Sequence, residues 1–204
     1  MRSETEKTFK KLVIPLNKNL PNIDKTNIRV VQDIAIRANI FGIFIAICDD
    51  PNSISFFNDL ITKQNIFNHL FESEKKILKR LKITKKEQIE KSWYQEGLYV
   101  LCWVLGVIDK MELPKKEAKL SALYEFLPPE KEFSEFVNNA TMIKPDLIYD
   151  EADFYYCLNW AMNHPEVWSI FNKFKYHTYN SSVVLERRKV LDWVLNDNSN
   201  WDEI

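Results

Sequence analysis

Residues 84–108 read TKKEQIEKSWYQEGLYVLCWVLGVI, and how this stretch folds decides the class of the whole chain. Thr84 and Glu87 have the S/T-x-x-E spacing of a capping box, in which a hydroxyl and a carboxylate each satisfy a backbone N–H that a new helix leaves without a partner. Ile89, Trp93, Gly97, Val100, Leu101, Val104 and Ile108 then recur at the helical period. From Gly97 to Ile108 no charged residue falls on any face, which predicts a helix wrapped by others at the centre of the fold.

Working outward, helix follows helix. Thr26 is read as the N-cap of a helix over 26–48, stopped by DDPNS at 49–53. Asn52 or Ser53 then opens a second, with Ile54, Phe57, Leu60, Ile61 and Phe67 facing inward, and a basic helix follows at 72–81. Beyond DKMELP (109–114), short helices are predicted at 115–126 and 129–138, the latter with Pro129 in its first turn. Pro145 starts a helix to 163, 166–179 is aromatic without a clear period, and Ser181 or Ser182 caps the last helix. Residues 1–25 are polar, with an extended candidate at 11–16 broken by Pro15 and Pro21. No strand–helix alternation appears. The expectation is an all-α fold: a single compact multi-helix domain over 26–204 with a central buried helix, preceded by a polar N-terminal segment, irregular or extended, over 1–25.

Composition agrees. Three glycines in 204 residues weigh against turn-rich β architecture. Hydrophobic residues at 46% and aromatics at 13% suffice for a well-filled interior. A net charge of -1 gives no global pull toward nucleic acid or anionic membrane. Cys48, Cys102 and Cys157 sit far apart within apolar helical patterns, as buried free thiols of a reducing compartment do. ANIFGIFIAIC (38–48) is shorter than the ~18 apolar residues of a membrane span. The expected location is cytoplasmic, with no membrane partner.

Motifs for chemistry are sparse. The glycines are too scattered to form a phosphate-cradling loop, and His69, His164 and His177 lack metal-ligand spacing. No catalytic residue, cofactor or metal is predicted. The basic run over 75–86 is interspersed with Glu72, Glu74, Glu87 and Glu90, which reads as a solvated helix face before it reads as a phosphate-binding strip.

The anomaly lies inside the stripes. In the last helix Arg187 falls among Val183, Val184, Val190, Leu191, Val194 and Leu195. A guanidinium cannot lose its water in a core without a partner, because that costs several kcal/mol. Glu96, between Trp93 and Val100, and Glu151, among Leu147, Ile148, Phe154, Tyr155 and Leu158, face inward on two other helices. Arg187 should therefore be buried against Glu96 or Glu151, with the second carboxylate nearby. Without a nucleophile or metal spacing, an ion-pair network that fixes helix docking is preferred to a polar site that binds or activates something.

The blocks IRVVQDIAIRA, WYQEGLYVLCWVLGVIDKMELP, DEADFYYCLNWA and VVLERRKVLDWV…NWDEI resemble, in this order, those of the bacterial domain of unknown function 4272 family, over residues 28–204. The matching positions include Arg29, Arg37, Trp93, Glu96, Trp103, Gly106, Asp153, Trp160, Glu186, Arg187, Trp193, Trp201 and Asp202. Asp153 and Glu186 thereby join Glu96, Glu151 and Arg187 as a binding or structural polar cluster. The family pattern carries an arginine four residues after the aspartate; here that position is Cys157, so an i,i+4 ion pair is lost. The resemblance implies a helical fold and no established activity.

Two functions follow as expectations. The first is a non-catalytic, immunity- or antitoxin-like protein that binds a basic effector through acidic residues such as Asp146, Asp150, Asp153, Asp192, Asp197, Asp202 and Glu203. The second is an enzyme or small-ligand binder using Glu96 and Glu151 with Arg187. Nucleic-acid binding through 75–86 is weakest, and oligomeric state is not legible.

Overall fold

A computed structural model describes residues 2–119, 121, 133–168 and 173–196, and the fold is all-α. In order the helices are α1 Arg2–Leu12, α2 Val31–Asp49, α3 Ile54–Lys63, α4 Glu72–Arg80, α5 Lys85–Ser92, α6 Tyr94–Val104, α7 Phe133–Asn138, α8 Pro145–Asn163, α9 Lys173–Tyr176 and α10 Ser181–Val194. Single 3₁₀ turns at Pro51–Ser53, Phe67–His69 and Pro165–Val167 join some of them.

The Thr84–Glu87 capping box forms as read: Thr84 accepts from Glu87 N–H and Glu87 accepts from Thr84 N–H at 2.8 Å. The helix it opens is not continuous. At Trp93 the chain tightens into an i→i+3 bond, Glu96 N–H to Trp93 O at 3.0 Å, separating polar α5 from buried α6. α6 also stops four residues short of Ile108. Gly106, at φ 72°, takes the left-handed turn that ends a helix, and Val107 N–H reaches back to Cys102 O at 2.8 Å.

α6 is central, as its missing polar face implied, with every side chain from Leu98 to Val104 buried. It shares the centre with α2, which packs along it, while α10 lies across α6 and α8. α2 is long and apolar enough to cross a membrane, longer than its uncharged core suggested, but most of it is buried in this fold as a core helix. Gly97 makes the α2–α6 crossing close: a Cβ there would lie 2.6 Å from the Phe41 ring.

Several caps differ from expectation. α2 starts at Val31 because Thr26 turns its hydroxyl to Leu195 O instead. Asp50, not Asn52 or Ser53, accepts the orphan N–H of Asn52 before α3. Asn180 caps α10 in place of either serine, taking Ser182 N–H at 3.0 Å and Val183 N–H at 3.3 Å; an Asn carboxamide does this as well as a hydroxyl. Residues 115–119 are not helical, and 122–126 and 129–132 lie outside the described residues.

The N-terminal segment is not a loose polar lead. Residues 2–12, which include the start of the extended candidate, form α1, and α1 packs along α8 with Phe9 edge-on to Phe154 at 5.6 Å. The helical period of Thr5 and Phe9, both buried, carries this packing.

Candidate functional site

The structure brings Arg187 and Glu96 together. Arg187 Nε donates to Glu96 Oε2 at 2.8 Å, with the two side chains 1% and 0% exposed. One Nη of the arginine donates to the Tyr155 hydroxyl at 3.0 Å and to Glu112 O at 2.6 Å, and the guanidinium lies 4.7 Å from the Tyr99 ring centre. Burial works against the charge of Arg187, but Tyr155 and Glu96 overcome it and hold its pKa above the ordinary value. Burial pushes the Tyr155 phenol up as well, so the hydroxyl stays neutral.

The same pair pins a length of backbone. Glu96 Oε1 accepts from Ala118 N–H at 2.6 Å, Tyr99 Oη accepts from Glu112 N–H at 2.9 Å, and Pro114 O accepts from Asn180 N–H at 2.8 Å. The segment 110–118, which has no helix of its own, is thereby fixed at its beginning, middle and end. Buried backbone groups need such partners, and here the core ion pair supplies two of them.

Between this segment, α1 and the first turns of α8 lies a cleft of about 870 Å³. Its floor and walls are apolar at Leu12, Met111, Leu113 and Phe154. Lys11, Lys110, Lys115 and Lys116 stand around it, and the carboxyl groups of Glu4, Glu112, Asp150 and Glu151 match them in number. Glu4 is already held by Lys7 at 2.6 Å.

Glu151 differs from the other carboxylates. It is partly buried in the cleft wall one turn before Tyr155, and it makes no hydrogen bond among the described residues. Burial pushes its pKa up to about 7; the positive charges of Arg187 and Lys110 offset part of this. It is therefore close to Arg187 without being its partner, and it exchanges its proton near neutral pH.

The remaining polar-cluster residues go elsewhere. Asp153 is fully buried and takes a fork from Arg2, Nη2 to Oδ1 at 2.9 Å and Nε to Oδ2 at 3.1 Å, plus the Thr5 hydroxyl at 2.6 Å. The cation that meets Asp153 is thus supplied from α1. Glu186 is half-buried and binds Lys189 at 3.1 Å, apart from the cluster. Asp192 is held by Arg188 at 3.3 Å, Asp146 by Lys25 at 3.0 Å, and Asp197, Asp202 and Glu203 lie outside the described residues.

One buried network went unread in the sequence. Arg37 on α2 donates to both oxygens of Glu74 at 2.8 and 2.9 Å, the Tyr94 hydroxyl donates to the same carboxylate at 2.9 Å, and Lys91 Nζ reaches that hydroxyl at 2.6 Å. Arg37 interrupts the apolar run of α2 just as Arg187 interrupts that of α10, and the same argument would have found it. In the basic run, Lys75, Arg80 and Lys86 pair with Glu72, Glu87 and Glu90, as a solvated face does. The three cysteines are free and buried, with burial pushing Cys48 up to about 11 and Cys102 and Cys157 to about 12.

No curated protein and no solved structure matches the chain. A family model does, over residues 1–204, α1 and its Arg2 anchor included. The ion pairs, the pinned segment and the cleft therefore belong to a member of the domain of unknown function (DUF4272) family.

Proposed function

We propose that this protein binds a small ligand in the cleft between α1, segment 110–118 and α8. The observation that carries the reading is Glu151, a carboxyl group set in an apolar wall without a hydrogen-bond donor. A partly buried carboxyl group with its acceptors uncommitted is open to a ligand that supplies a donor. The cleft's volume lies within the range of small-molecule sites, roughly 300–1,000 Å³. Arg187 and Glu96 support the site from behind by holding its wall. The reading is binding, with proton exchange at Glu151 available to it.

The experiment is a thermal-shift screen of a charged and neutral fragment collection on the parent and on Glu151→Gln. Ligands of the cleft raise the melting temperature of the parent and lose that effect in the variant. No hits, or hits that persist both in Glu151→Gln and in Thr8→Trp, which fills the cleft, defeat the proposal.

An immunity-like role against a basic effector, in a cytoplasmic setting, is the second proposal. It is supported by Asp146 and half-exposed Leu147 side by side at the start of α8. Asp153, fully buried against Arg2, takes no part in it. Co-purification with the product of an adjacent gene and a toxicity-rescue assay test it; an Asp146→Lys variant that binds as fast as the parent counts against it.

A further inference from the structure

Accepting the cleft as a ligand site, we infer that its ligand is a small zwitterion with an apolar body, its ammonium group on Glu151 and its anionic end at Lys115 and Lys116. The argument starts from what the cleft lacks. Glu151 accepts nothing from the protein, while its neighbours are already committed: Arg187 to Glu96, Tyr155 and Glu112 O, and Asp153 to Arg2 and Thr5. An ammonium group brings three donors and a positive charge, so it satisfies a partly buried carboxylate more fully than a hydroxyl or an amide does.

The lip supplies the opposite chemistry. Lys115 and Lys116 are adjacent and exposed, and neither forms an ion pair among the described residues. Their backbone is held in place by Pro114 O on one side and Ala118 N–H on the other, so the two cations stand on a fixed support. Met111, Leu113 and Phe154 also line the cleft, and they favour an apolar body over a second charge. Four lysines and four acidic side chains line the cleft, so both ends of a zwitterion find opposite charge there. A free apolar amino acid and the apolar terminus of a short peptide share this chemistry.

Proton linkage gives the inference a distinctive signature. Glu151 shares the cleft lining with Asp150 on its own helix, with Lys110, Glu112, Lys115 and Lys116 on the pinned segment and with Glu4 and Lys11 on α1, and it lies near the Tyr155 hydroxyl and the Arg187 guanidinium. Below pH 7 the ammonium of a peptide is fully charged, so in that range the ionisation of Glu151, at about 7, governs binding.

The test is titration calorimetry on the full chain with leucine, dileucine, N-acetyl-dileucine and dileucine amide. Leucine or dileucine should bind, the stronger of the two identifying the source. The acetylated dipeptide should be at least about tenfold weaker and the amide several-fold weaker. Affinity for the free dipeptide should rise about fivefold from pH 6 to pH 7, and this rise should vanish in Glu151→Gln. Glu151→Gln removes an unpaired charge, so its folding is secure, and a melting curve confirms it. Equal binding of the acetylated form, or an affinity indifferent to Glu151→Gln, overturns the zwitterion while the cleft reading stands. No binding of any of the four, with fragment hits that Thr8→Trp blocks, has the same meaning. No probe or fragment that Thr8→Trp displaces defeats both.

Discussion

Arg187 meets Glu96 through a single Nε–Oε2 bond of 2.8 Å, and each keeps another atom for the backbone of segment 110–118. A bidentate fork would have made a stronger pair. The observed geometry spends that second contact on Glu112 O and Ala118 N–H, and so joins the core to the cleft wall.

Arg187→Ala should accordingly destabilise the protein by about 3–5 kcal/mol, because it leaves the fully buried Glu96 carboxyl without its cationic partner. Denaturant unfolding measures it. Arg187→Lys should rescue only part, since one ammonium cannot serve Glu96, Tyr155 and Glu112 O in the planar arrangement of a guanidinium. Amide exchange at Glu112 and Ala118 should quicken in both variants, and a loss of stability without that local change would show that the pair does not hold the segment.

Glu151 should make stability fall as pH rises. Its folded pKa of about 7 lies above the unfolded carboxylate value, so the folded state holds the proton more tightly. Its contribution is fully present below about pH 4.5 and declines as pH rises through 7, by about 3 kcal/mol in all. Glu151→Gln should remove that decline. The difference between the parent and variant unfolding free energies, measured at pH 5 and pH 8, isolates the group; an unchanging difference would place the carboxyl in water.

Val13→Gly should stabilise the protein by about 1 kcal/mol. Val13 closes α1 at φ 60°, where its branched Cβ crowds the backbone, and Ile14 N–H completes the turn to Phe9 O at 2.9 Å. The side chain is 44% exposed, so little burial is lost. A lower melting temperature in the variant would mean that the valine packs usefully where it stands.

Gly97→Ala should cost about 1–3 kcal/mol by overpacking. The new methyl would meet the Phe41 ring, which is itself fully buried and lies 4.3 Å from the Tyr94 ring, so neither can retreat. A variant as stable as the parent would show that α2 and α6 can separate slightly without loss.

What was legible in the sequence follows the range of the forces involved. Helical period and the capping box are local, so α4, α8 and the opening of α5 read correctly. Arg187 and Glu96 were found because a charge inside an apolar stripe demands a partner, however distant. Cap identities failed where a long-range bond outbid a local one, as when Thr26 turned to Leu195 O. The cleft could not be read, since it forms only where α1, a segment without helical period and α8 converge. Glu151 was correctly placed near Arg187, but its lack of a donor is a fact of three-dimensional packing.

The closing of α10 bears on how the chain is made. Its last carbonyls are taken by residues far earlier: Val194 O by Arg29 N–H at 2.9 Å, Trp193 O by Arg29 Nε at 3.2 Å, and Leu195 O by the Thr26 hydroxyl. Arg29 also lies over the Trp193 ring at 4.1 Å. On the ribosome, α10 emerges after every other helix described here, so until residue 187 appears Glu96 waits without its cation and segment 110–118 without its anchor. A chain halted before α10 would present a chaperone with an unfinished core rather than a shorter folded protein.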